Sequence, residues 1–92
     1  MRLTDNEINT IKETIFNVFG KSEIRIFGSR LIDKKGGDID IFVIPENRDN
    51  LFRKKIKASA KLENLLFKPV DILVHYNFDR EIEKEALKGG KI

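Results

Sequence analysis

Apolar and polar positions follow two periods along this chain, and each change of period marks an element. Ile8, Ile11, Ile15 and Val18 recur at helical spacing. Thr4-Asp5-Asn6-Glu7 stands just before them and reads as a capping box, with a hydroxyl at the N-cap and a carboxylate three residues on. Gly20 is a natural stop for that helix. The period then falls to two. Ser22 to Phe27 reads as a strand with Ile24 and Ile26 on one face, ended by Gly28. Leu31-Ile32 has room for a turn or two of helix, and Asp33 to Gly37 is a polar loop. Asp38 to Ile44 is a second strand, stopped by Pro45. Its far half is apolar on both faces, with Phe42 and Ile44 on one and Ile41 and Val43 on the other. That half needs cover on both sides, so only the end with the aspartates can be open. Asn47 to Asn50 is a turn, and Leu51 to Phe67 a helix whose apolar stripe is clearest at Leu62, Leu65 and Leu66. Pro69 to Val74 is a third strand. Asp79 to Lys88 is a last, highly charged helix, ended by Gly89-Gly90.

These elements predict a small α/β (α+β) domain with a mixed β-sheet in the order αβ(α)βαβα. The polarity of the strands follows from their chemistry-bearing ends. Gly28-Ser29 lies at the end of the first strand and Asp38 at the start of the second, so a shared site requires the two to run antiparallel. Asp71 also opens its strand, so to join Asp38 and Asp40 the third strand must run parallel to the second. A parallel neighbour needs a crossover of about a dozen residues or more, and the Leu51–Phe67 helix supplies it.

Composition narrows the picture only slightly. The 92 residues predict one domain, 1–92, with a core near the lower end of what folds unaided. There is no cysteine, which fits a reducing compartment. No apolar run approaches the ~20 residues a spanning helix needs, and Asp5 and Glu7 do not suit a signal peptide. A soluble, cytoplasmic protein with no membrane role is expected. The net charge of +3 is compatible with nucleotide or RNA ligands, although a charge-rich surface explains it more simply. The basic sector Arg53, Lys54, Lys55, Lys57 and Lys61 reads in the same way as a solvated helix face, with phosphate or RNA contact as the alternative.

The candidate chemistry sits where the first two strands meet. On a strand Asp38 and Asp40 point to one side, about 6.6 Å apart, and such a pair suits divalent cations bound through oxygen. Gly28 lets a phosphate approach the backbone, and a helical turn after Ser29 would aim free N–H groups at it. A third acid, Asp71, completes a set suited to two-metal phosphoryl transfer, in which two Mg²⁺ ions hold the attacking and leaving oxygens. Asp71 could also take the proton of the attacking hydroxyl.

Each residue also has a plainer reading. Asp38 could end a loop, and Asp71 could serve a strand-entry turn. Asp40 inside an apolar strand is costly unless exposed or ligating. Ser29 could be a helix N-cap as well as a phosphate contact, and Arg30 a surface charge as well as a phosphate ligand. His75 reads as structural rather than as a base.

Gly28-Ser29-Arg30, a short polar loop, Asp38-x-Asp40 and an apolar run together resemble the minimal nucleotidyltransferases (MNT domains) of the DNA polymerase beta superfamily. Leu62 to Val74 is similar to the family's leucine-rich helix and Val-Asp strand, with Asp71 in the place of the third acid, and Glu85 to Ile92 is similar to its tail. The resemblance implies a Mg²⁺-dependent enzyme that transfers a nucleoside monophosphate, AMP from ATP. Asp38, Asp40 and Asp71 would be catalytic and metal-binding, and Gly28, Ser29 and Arg30 nucleotide-binding. The larger relatives carry acceptor-binding domains that this sequence does not, so a partner is expected to present the acceptor. The family implies a HEPN-type toxin, silenced by AMP attachment within a toxin–antitoxin module. An oligomer with that partner and a nucleic-acid contact both stay open. The chain departs from the pattern at Gly37, where the family has serine, at Leu31-Ile32-Asp33, and in a short Ser29–Asp38 loop. These departures motivate a non-catalytic antitoxin as the alternative, with a metal-dependent nuclease behind it.

Overall fold

The computed structural model describes residues 3–27 and 39–92. Gly28, Ser29, Arg30 and Asp38, with the Leu31-Ile32 turn, lie outside the described residues. Among the described residues a four-stranded sheet has the order β3-β2-β1-β4. Its strands are β1 (Ser22–Phe27), β2 (Ile39–Pro45), β3 (Val70–Val74) and β4 (Gly90–Lys91). The helices are α1 (Asp5–Phe19), α2 (Leu51–Leu66) and α3 (Glu81–Ala86). β2 runs antiparallel to β1 and parallel to β3, with α2 as the crossover, as the strand-end argument requires.

The first helix forms for local reasons. Glu7 N–H donates to Thr4 Oγ1 at 3.1 Å, and Thr4 N–H donates back to Glu7 Oε1 at 2.9 Å. Two amides that a helix start leaves without partners are thereby satisfied. Gly20 closes the helix at φ 83° and ψ −159°, a positive-φ conformation that glycine adopts without a Cβ clash. Lys68 reaches Glu7 at 3.0 Å and ties this start to the α2–β3 connection.

One face of the sheet packs against α1 and α2. Ile11, Ile15 and Phe19 of α1 meet Ala58, Leu62 and Leu66 of α2 over Ile24, Ile39, Ile41, Val43, Val70 and Ile72. On the opposite face Phe42 is fully buried yet stands outside that cluster, as does Ala86 of α3. β2 lies inside the sheet between β3 and β1 and is buried on both faces, and a Leu, Ile or Phe truncated to Ala in such a place costs about 2–5 kcal/mol.

The C-terminal segment differs most from expectation. The last helix covers Glu81–Ala86 rather than Asp79 to Lys88, because the chain turns back to add β4 beside β1. Arg25 holds the return by donating to Gly89 O at 2.9 Å and Leu87 O at 3.3 Å. Gly89 passes so close to β1 that a Cβ there would collide with the Ile26 carbonyl and stand 2.8 Å from Phe27 Cβ. The glycine read as a helix stop is thus a close approach to a strand. Smaller differences occur elsewhere. Pro45 is the last residue of β2, opposite Ser22. Leu65 is exposed rather than part of the core stripe. Phe67 leaves the α2 helix in the left-handed region at φ 57°.

α3 is anchored by a buried carboxylate. Glu83 is inaccessible to solvent and accepts from the Tyr76 amide at 2.7 Å, the Asn77 amide at 2.9 Å and Arg80 at 3.1 Å. His75 Nδ1 stands 2.7 Å from its other oxygen, and the His75 ring stacks on Phe78. Burial is the largest single influence on this carboxyl and pushes its pKa up. The His75 hydrogen bond and the Asn77 and Tyr76 amides together outweigh burial and leave it below its ordinary value. An ionised carboxylate only accepts, so the His75 Nδ1–H is the donor.

A folded-state pKa below the unfolded one stabilises the protein above the unfolded value, and the gain is lost as pH falls through the folded one. Stability should therefore fall below about pH 4.3, with Glu83 among its causes. Thermal unfolding between pH 3 and 7 checks this. Glu83→Gln should be less stable at neutral pH, by about 3 kcal/mol for a broken buried network, and should lose less on acidification. A parallel loss in both proteins would show that Glu83 does not contribute to the acid sensitivity.

Candidate active site

The register of β2 against its two neighbours builds one end of the sheet. Asp40 is opposite Asp71 in the parallel β2–β3 pair and opposite Phe27 in the antiparallel β1–β2 pair. Register partners on adjacent strands have Cα atoms about 4.8 Å apart, and their side chains leave the sheet on the same side. The two carboxylates therefore stand together, and Phe27, the residue before Gly28, ends its strand beside Asp40. The main-chain bond from Ile39 N–H to Pro69 O, at 3.0 Å, fixes the beginning of this pairing.

Alternation along β2 decides which face the acids use. Ile39, Ile41 and Val43 face α1 and α2, so Asp40 faces the other way with Phe42. The far part of that second face is closed, since Phe42 and Ala86 are fully buried. At the near end Asp71 is exposed and Asp40 half-buried. Two acids at paired register positions at the solvated end of a sheet are a donor set suited to a hard divalent cation.

Of the residues singled out in the sequence, the structure brings Asp40 and Asp71 together. Gly28, Ser29, Arg30 and Asp38 lie outside the described residues; in sequence Gly28 follows Phe27 and Asp38 precedes Ile39. His75 is not part of it. It follows β3 at the far end, donates its amide to Val43 O at 2.9 Å and belongs to the Glu83 network. The sequence reading missed Glu83, whose burial no charge pattern in that helix betrays. It also missed Arg25, which fixes the C-terminal return beside β1. The pairing of Gly90 with Ile26 brings that return to within a residue of Phe27.

The sequence model described as Polymerase beta, Nucleotidyltransferase matches residues 9–92. No curated protein matches the chain. Among solved structures, the toxin–antitoxin complex MntA–HepT is similar over 95% of this chain and 68% of its own, at 21% identity and a TM-score of 0.70. A complex of tri-AMPylated Shewanella oneidensis HEPN toxin with MNT antitoxin matches over 96% of this chain and 69% of its own, at 22% identity and a TM-score of 0.69. A toxin–antitoxin structure with AMP-PNP matches over 96% and 70%, at 22% identity and a TM-score of 0.68. At these identities the likeness is one of fold, and it agrees with the mixed sheet and its helices. No helix among the described residues is long and apolar enough to cross a membrane.

Like charges on directly opposed strand positions repel. Without divalent ions and at low salt, Asp71→Asn should therefore melt at or above the wild-type temperature. The gain should shrink as the Debye length falls below about 10 Å near 0.1 M salt. Differential scanning calorimetry across a salt series measures it. A variant that melts well below wild type would make Asp71 a structural residue.

Proposed function

The chain belongs to the polymerase beta-type nucleotidyltransferase family, and on that premise we propose that it transfers AMP from ATP to a HEPN-type partner protein. The observation that carries the reading is the register pairing of Asp40 with Asp71 beside the end of β1. The structural neighbours support it, one being a complex with a tri-AMPylated HEPN toxin and another a structure with AMP-PNP. The cytoplasm, which supplies ATP, is the location that this reading implies.

In the proposed reaction a tyrosine hydroxyl oxygen of the partner attacks the α-phosphorus of ATP. The bond from that phosphorus to the bridging oxygen breaks, and pyrophosphate leaves. The hydroxyl proton passes to a carboxylate, and Asp71, exposed at the open end of the sheet, is the acid assigned to take it. Asp38 and Asp40 are the residues that would hold Mg²⁺, with Asp71 completing the set. The ion, when bound, supplies charge neutralisation at the transferring phosphoryl group. Gly28 and Ser29 are assigned to the β- and γ-phosphates, through backbone N–H groups that suit an anion, and Arg30 to a charge-assisted contact with them. Positioning and electrostatics provide most of the rate in transfers of this kind, so a chain with few catalytic groups is sufficient.

The test is mass spectrometry of a HEPN protein, taken from beside this chain's own gene, after incubation with this chain, ATP and Mg²⁺. Wild type should add AMP mass, while Asp38→Asn and Asp40→Asn should slow the addition by about 10²-fold or more. Because the lost stabilisation acts chiefly in the transition state, ATP binding should change much less than turnover. Mg²⁺ should also raise the melting temperature of wild type but not of Asp40→Asn, since a ligand of the folded state stabilises it. An unmodified partner, bound and silenced equally by all three proteins, would establish the non-catalytic antitoxin. RNA cleavage that needs no ATP would establish the nuclease.

A further inference from the structure

We propose that the outward face of α2 is a docking surface for an acidic, amphipathic helix of a partner protein. This face lies on the α1–α2 side of the sheet, away from Asp40 and Asp71. The proposal therefore stands whether or not the transfer reaction occurs.

Two rows run side by side along this helix. Residues four apart stack on one helix face. Phe52 and Ile56 form an apolar row, although Phe52 is 73% exposed and Ile56 54% exposed. Arg53, Lys57 and Lys61 form the adjacent row at the same spacing, and all three are exposed. None of them makes an ion pair among the described residues. The core side of the helix is elsewhere, at Ala58, Leu62 and Leu66. A solvated helix face accounts for the basic row alone. It does not account for large apolar side chains placed in water next to it.

Phe67 follows the last residue of α2 and is 89% exposed, in a left-handed conformation at φ 57° that glycine would adopt without strain. Glu63 lies on the Phe52–Ile56 side of the helix before it, so the apolar row is the pair Phe52 and Ile56, one turn apart.

Charge complementarity selects the occupant. Phe52 and Ile56, one turn apart, match two successive positions of the groove-facing stripe of a partner helix. An unopposed row of three cations beside it calls for carboxylates on the flank of that helix. RNA would satisfy the cations but not Phe52 and Ile56 exposed beside them.

The probe is a fluorescein-labelled sixteen-residue peptide with leucines at i, i+4 and i+7 spacing and glutamates on one flank, read by fluorescence anisotropy. It should bind the wild-type chain, with affinity falling as salt rises. Ile56→Ser and Lys57→Glu should each weaken binding at least tenfold without lowering the melting temperature, and Lys84→Glu on α3 should leave it unchanged. Amide shifts in the ¹⁵N-HSQC spectrum should map to α2. Equal binding of a peptide with lysine in place of glutamate would overturn the proposal, as would no binding at all. A labelled uridine 20-mer that binds more tightly than the peptide and is indifferent to Ile56→Ser would replace it with RNA. Sedimentation that shows a dimer lost in Phe52→Ala would replace it with a second copy of this chain.

Discussion

The parallel pairing of β2 with β3 is the constraint on which the rest of this molecule depends. It sets Asp40 against Asp71 and Ile41 against Ile72 in one register. A slip by one residue would send Ile39, Ile41 and Val43 to the face that carries the acids, and the acids into the helix-covered core. The hydrophobic demand of the core therefore fixes the position of the carboxylates. The same demand fixes α2, because a parallel neighbour is reached only through a crossover that packs back on the sheet.

The second face of the sheet shows how a small chain keeps one end open. α1 and α2 cover the first face along its length, while α3 is short and accompanies a return strand that ends beside Arg25. Phe42 is sealed from solvent, and Asp40, two residues earlier on the same face, is only half-buried. Enclosed and open surface are thus separated by about 7 Å of strand.

Carboxylates serve opposite purposes at the two ends. Glu83 is enclosed and takes hydrogen bonds from two amides, an arginine and His75, so that its charge is fully matched. It orders the turn after β3 and holds α3 against the sheet. Asp40 and Asp71 are held next to one another by the register, an arrangement that a chain selected for stability alone would avoid. Adjacent like charges at the solvated end of a sheet repel, and a cation or a transferred proton would relieve that repulsion.

By itself the sequence determined the capping box at Thr4, the first three strands with their polarities, the crossover helix, and the convergence of Asp40 with Asp71. Each of these follows from a local period or a cap, or from the rule that strands sharing a site must present their ends to it. Glu83, β4 and the exposed row on α2 were decided only by the tertiary structure. Gly90 and Lys91 carry no strand pattern, and they pair because Arg25 and the bare Cα of Gly89 bring them to the edge of β1. Glu83 is one glutamate among several in a charged helix, and its burial depends on amides at Tyr76 and Asn77 that only the folded turn presents. Leu65 and Phe67 look like core by composition, but a helix has one inward side, and Ala58, Leu62 and Leu66 already fill it. Periodicity reports which residues share a face; which face meets the sheet is settled by packing against partners distant in sequence.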